Sequence, residues 1–167
     1  MDTIEQQIHE FRHEATEGVK PRLIEDLSYT EDERILPFLL EVLCDADEVD
    51  LARIEAAKAL MVDIERQRDA ICEALISVIE RDGEDEGVRS HAVQAASPYV
   101  NESDELLDAV KALLFAGETD DETRSSALAT VHDVRPAERC LEILDDFPED
   151  DPYGDVVRSM THLTFGR

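Results

Sequence analysis

The sequence predicts an all-α chain folded as an α-solenoid of about four to five antiparallel helix pairs, and three observations carry that expectation. First, Arg53, Arg89, Arg124 and Arg158 lie 36, 35 and 34 residues apart in matching surroundings. An acid stands three residues before each (Asp50, Glu86, Asp121, Asp155), and small residues stand three and six after it, as Ala56 and Ala59 do for Arg53. Such a period marks stacked supersecondary units, each too small to bury its apolar face alone. Second, apolar stripes at helical spacing alternate with these arginine segments. Third, only six glycines and six prolines occur among 167 residues, too few for the turns of a β-sandwich.

The elements follow in order. Residues 1–29 are expected to hold a divergent helix pair. There Arg12, Ala15 and Gly18 repeat the arginine pattern incompletely, and Pro21 suits a helix start, where its missing N–H would be unpaired anyway. Repeats then run over 30–65, 66–100, 101–134 and 135–167, all within one domain spanning 1–167. First helices are expected near 31–43, 66–81, 102–116 and 136–146. Their stripes are Leu36, Leu39, Leu40 and Leu43; then Ile71, Leu75, Ile76 and Ile79; then Leu106, Leu107, Val110, Leu113 and Leu114. Second helices are expected near 50–63, 86–99, 121–133 and 154–164, each carrying one arginine.

A leucine-striped helix followed by a run such as Asp50-Leu51-Ala52-Arg53-Ile54-Glu55-Ala56-Ala57 resembles the HEAT repeat, especially its short bacterial form first noticed in phycobilin lyases. Glu86-Gly87-Val88-Arg89 and Asp155-Val156-Val157-Arg158 match that family's acid-x-Val-Arg core. Asp50-Leu51-Ala52-Arg53 and Asp121-Glu122-Thr123-Arg124 depart from it at the valine. The signatures of tetratricopeptide and ankyrin repeats are missing. The resemblance, covering about residues 30–165, implies a right-handed HEAT-like superhelix in which the acids pair with arginines of neighbouring repeats. The structural ladder is then Asp50, Arg53, Arg89, Asp121, Arg124, Asp155 and Arg158. From the residues alone, an acid at a helix start is also expected to accept orphan N–H groups as a cap.

Forty-two acids against sixteen bases give a net charge of −26, which repels nucleic-acid backbone and anionic membrane over most of the surface. Such acidity with three lysines fits a basic partner or a high-salt habitat. The three cysteines, Cys44, Cys72 and Cys140, form no C-x-x-C pair and sit in apolar stretches, as small buried hydrophobes do. Met1-Asp2-Thr3-Ile4-Glu5 does not begin a signal peptide, and no run reaches about eighteen apolar residues. A cytoplasmic location is the expectation.

Catalytic motifs are few. His9-Glu10-Phe11-Arg12-His13 reads H-E-x-x-H, which on a helix turns both histidines to one face for zinc, with Glu10 as general base. A zincin also needs a third ligand and an edge strand, and the sequence offers neither. The pairs His9-Glu10 and His13-Glu14 also resemble those of HEAT-repeat di-iron hydroxylases, the deoxyhypusine hydroxylase family. That family spreads its His-Glu pairs over separate repeats, whereas His91 and His132 are followed here by Ala92 and Asp133. The acidic run Asp45–Asp50 lacks the glycine and terminal glutamate of a calcium loop. No metal or other cofactor is expected, and no catalytic residue.

Charge sorted by turn gives the binding candidates. The turns leading from first to second helices hold Asp45, Asp47, Glu48 and Asp50; Asp82, Glu84, Asp85 and Glu86; Glu118, Asp120, Asp121 and Glu122; and Asp145, Asp146, Glu149, Asp150 and Asp151, with no base among them. In a solenoid, equivalent turns align along one edge, so an acidic ridge is expected. Beside it, Glu55, Lys58, Ser90, Gln94 and Ser125 on the second helices are expected to add shape-specific contacts. The functional expectation is a non-enzymatic binder of a basic protein, either an immunity or inhibitor protein against a toxin or an assembly adaptor. The rival from another class is an accessory enzyme, hydroxylase-like or chromophore-lyase-like, implied by the resemblance.

Overall fold

The computed structural model describes residues 2–13, 15–62 and 64–166, and within them the chain forms ten α-helices and no strand. They are α1 (Thr3–His13), α2 (Lys20–Ser28), α3 (Ile35–Cys44), α4 (Asp50–Ala59), α5 (Arg68–Ile79), α6 (Glu86–Ala95), α7 (Asp104–Phe115), α8 (Asp121–His132), α9 (Ala137–Asp145) and α10 (Gly154–Phe165). None is long and apolar enough to cross a membrane.

Several helices are shorter than the periodicity predicts, each for a local reason. α3 starts at Ile35 because Asp32 captures the chain just before it. Its Oδ1 accepts the Arg34 backbone N–H at 2.9 Å and the Arg34 Nε–H at 2.8 Å, a side-chain turn that competes with helix. Pro37 then falls in the first turn of α3, where no intrahelical N–H is lost. α5 starts at Arg68 because Gln67 is left-handed, φ 65°, which no α-helix propagates. α6 ends at Ala95, and the chain tightens through three-residue bonds on either side of Pro98, from Ser97 to Gln94 and from Tyr99 to Ala96, since Pro98 has no N–H to continue the helical ladder.

Helices pack on their chain neighbours within pairs, α1 on α2, α3 on α4, α5 on α6 and α7 on α8. Second helices also pack on one another, α2 on α4, α4 on α6 and α6 on α8, and first helices do so from α3 to α5 to α7. Small residues allow the second-helix contacts: Ala52, Ala56, Ala57, Ala92, Ala95 and Ala127 are fully buried. Large side chains of the first helices, including Leu43, Ile71, Leu75, Leu106 and Leu114, fill the space between. Burying one such side chain stabilises the fold by about 1.5–3 kcal/mol.

Polar side chains tie one helix pair to the next. Buried Tyr99 donates its hydroxyl to the Val62 carbonyl at 2.6 Å and accepts the Ile64 N–H at 3.3 Å. Thr130 Oγ1 donates to the Val93 carbonyl at 3.0 Å. The first pair of bonds holds the chain just past α4, and the Val93 carbonyl, which also accepts the Ala96 N–H at 3.1 Å, gains a second donor.

Candidate functional site

Two of the four repeated arginines, Arg53 and Arg124, are interior braces, while Arg89 is half-buried and Arg158 is exposed. Arg53, on α4, donates from Nε to the Leu43 carbonyl at the end of α3, 3.1 Å away. Its two terminal nitrogens donate to the two oxygens of Glu84 at 2.7 and 2.5 Å, a bidentate pair reaching into the next repeat. Glu84 also accepts from Arg81 at 3.0 Å. Burial alone would push the Glu84 carboxyl up, but the Arg53 bonds outweigh it and hold the pKa below the ordinary value. Arg124, on α8, repeats the arrangement. Its Nε and Nη2 donate to the Leu114 carbonyl at 3.1 and 3.0 Å, Nη2 reaches Asp151 at 2.8 Å, and the Tyr153 ring covers the guanidinium at 4.5 Å.

The cross-repeat partner is therefore not the acid three residues before an arginine, as the family resemblance implies. It lies in the turn preceding the next second helix. Glu84 stands five residues before Arg89, and Glu48, five before Arg53, accepts Lys20 of α2 at 2.7 Å. The corresponding residue before Arg124 is Thr119, so Arg89 forms no ion pair with a described residue. It donates to the Arg81 carbonyl, and its Nε is buried without a partner. Among the acids at minus three, Asp50 approaches its own Arg53 at 3.7 Å and Asp155 its own Arg158 at 2.6 Å, while Asp121 is exposed.

Nor do these acids cap the helices. The caps fall one residue earlier, where Asp85 accepts the Val88 N–H and Asp120 the Thr123 N–H, at 3.0 and 2.8 Å. Asp50, Glu86, Asp121 and Asp155 are each in the first turn of their helices, favourably placed toward the positive end of the dipole. α4 begins after Val49 with no side-chain cap.

Sorting the predicted ridge by what the fold already uses divides it. Glu84 and Glu48 are withdrawn into ion pairs, with side chains only 3% and 10% exposed, so neither faces a partner. Asp85 and Asp120 serve as caps. Asp45, Asp47, Asp82, Glu86, Glu118, Asp121 and Glu122 remain exposed in the turns. Gln94 and Ser90, expected on an open face, instead join helices: Ser90 is buried, its Oγ lies 2.9 Å from Ser126 Oγ, and Gln94 Nε2 donates to Ser126 at 3.0 Å. Glu55 is half-buried and accepts Lys58 at 2.7 Å.

All three lysines are ion-paired, Lys20 to Glu48, Lys58 to Glu55 and Lys111 to Asp108. A cleft of about 530 Å³ lies between the α7–α8 and α9–α10 turns, lined by Asp121, Arg124, Ser125, Tyr153 and Val156 among others. Ser125 Oγ and Tyr153 Oη meet across it at 2.8 Å.

The H-E-x-x-H segment lies on α1, with His9 and His13 exposed and their ring centroids 4.6 Å apart. Glu14 of the second His-Glu pair lies outside the described residues. Among the described residues, no group of three or more His, Cys, Asp or Glu is arranged to hold a metal ion. Cys72 and Cys140 are buried and Cys44 half-buried. Burial pushes the Cys72 thiol up and the Cys140 thiol to about 11, which suppresses their thiolates. Comparison of the chain with protein-family models, with curated proteins and with solved structures returns no match.

Proposed function

We propose that the chain is a non-enzymatic, HEAT-like α-solenoid that binds a basic protein through the carboxylates of its turns. The observation that carries this reading is the surplus of acids left after the fold's own needs. Helix capping uses Asp85 and Asp120, and bracing uses Glu48, Glu84 and Asp151. Asp82, Glu86, Glu118, Asp121 and Glu122 do neither and stay exposed around the same turns. A field of one sign over such an edge speeds encounter with an oppositely charged partner and selects against acidic ones. An inhibitor that occupies the substrate groove of a basic enzyme and an adaptor for a basic subunit both fit this chemistry.

The test is retention of a basic protein from the native source by the immobilised chain at low salt, compared with a variant carrying Asp82→Asn, Glu86→Gln, Asp121→Asn and Glu122→Gln. Retention of one basic species by the native chain, lost in the variant and in high salt, supports the reading. Equal retention by the variant, or none by either, sinks it.

A further inference from the structure

We infer that Arg89 is a binding site for a single carboxylate from outside the chain, either a small monocarboxylate ion or an acidic side chain of another protein. The repeats, compared with one another, point to it. Arg53 holds Glu84, which stands five residues before Arg89, and Arg124 holds Asp151, which stands seven before Arg158. The fold thus presents a carboxylate to a second-helix arginine from two positions of the following turn. For Arg89 those positions are Thr119 and Gly117, five and seven before Arg124, and neither carries an acid.

Arg89 is accordingly a half-buried cation without a counter-charge among the described residues. Its Nη2 donates to the Arg81 carbonyl, its Nε is buried without a partner, and its Nη1 bonds to no described residue. A cation held partly out of water in this way is costly. A carboxylate accepting two parallel N–H groups is the partner that the guanidinium fork matches best. The neighbouring turn leaves room for one: a side chain begun at Gly117 would meet no atom within 4 Å.

Charge sets the class of ligand. Exposed Asp82, Glu86, Glu118 and Asp121 around the two turns disfavour phosphate esters, nucleic acid and other multiply charged anions. One carboxylate is tolerated, because the other two rungs stand in similar surroundings. Glu84 lies between Asp82 and Glu86, and Asp151 follows Glu149 and Asp150. Burial pushes the Glu84 carboxyl up, yet the bonds from Arg53 bring it below the ordinary value, and Arg124 holds Asp151 below its own. Ten residues before Arg89 stands Ile79, in the place of Leu43 and Leu114, whose carbonyls seat Arg53 and Arg124. A bound carboxylate is expected to draw Arg89 into the same seat, with Nε on the Ile79 carbonyl and both terminal nitrogens on the ligand. A free ion must approach a chain of charge −26, so affinity is expected in the millimolar range.

The Arg89 Nε–H resonance of the full chain, labelled with nitrogen-15 and assigned by its loss in Arg89→Lys, reports the site. Sodium acetate replaces sodium chloride at fixed ionic strength, and a saturable shift is expected. Thr119→Glu supplies the acid from within the chain and should abolish the response to acetate. Gly117→Asp, at the Asp151 position, should do the same. The amide of N-acetylglutamate, with that of N-acetylglutamine as control, separates the two sources. Tighter binding of the glutamate compound than of acetate assigns the site to an acidic side chain of another protein, and equal binding assigns it to the free ion. No saturable shift with either, or a response that survives both Thr119→Glu and Gly117→Asp, would overturn the inference. It goes beyond the proposed binding of a basic protein and does not rest on it, since Arg89→Lys leaves the exposed acids of the turns in place.

Discussion

Arg53 and Glu84, 31 residues apart in sequence, form a two-pronged ion pair whose side chains are 2% and 3% exposed. The pair bridges α4 to the turn before α6. Removing one partner leaves a charge in the interior, and Glu84→Gln is expected to destabilise by about 3–5 kcal/mol, measured by urea unfolding. The pair also sets a pH dependence. The Glu84 carboxyl is held below its unfolded value near 4.5, so its stabilisation is full above that pH and is lost as pH falls through the depressed folded value. In acid titration the midpoint of native unfolding should therefore carry a contribution that Glu84→Gln lacks.

Thr119 occupies the place where Arg89 would find its Glu84. Thr119→Glu should complete the brace and raise stability by about 0.5–2 kcal/mol, seen as a higher melting temperature. The same substitution paired with Arg89→Met should give no gain, and a gain in that background would show that the new carboxylate acts elsewhere.

Tyr99→Phe keeps the ring in the core but leaves the Val62 carbonyl without its donor. A loss of about 1–3 kcal/mol is expected. Hydrogen exchange should locate the loosening at the end of α4 and at Ile64, rather than spread it evenly.

The cysteines should react in two classes. Cys44 is half-buried, while Cys72 and Cys140 are buried with raised thiol pKa values. Native protein treated with a disulfide reagent should therefore modify one thiol promptly, and the other two only on unfolding. Mass analysis of the labelled peptides identifies which.

The arginine period located the second helices well because a buried guanidinium needs a fixed carbonyl. Leu43 and Leu114 sit ten residues before Arg53 and Arg124, so helix, turn and helix must repeat in near register. The partners of those arginines were not legible, because the position that is glutamate at 48 and 84 becomes Thr119 and Tyr153 in later repeats. Two glutamates within one chain are too thin a pattern to read. Gln94 was misplaced on an open face for a different reason: its polarity suggested solvent, while Ser90 and Ser126 supply it with partners between helices. Gln67 shows no sequence cue for its left-handed backbone, and the start of α5 moved with it.

The ion-paired lysines have a consequence for chemical trapping. With three side-chain amines against forty-two carboxyls in the sequence, carbodiimide activation turns this surface almost wholly into electrophile, and copies of the chain have few nucleophiles to offer each other. Amide bonds formed in a mixture should therefore run from its turns to lysines of some other protein. Zero-length coupling would then write the orientation of a captured complex into covalent form, with acid on this side and amine on the other.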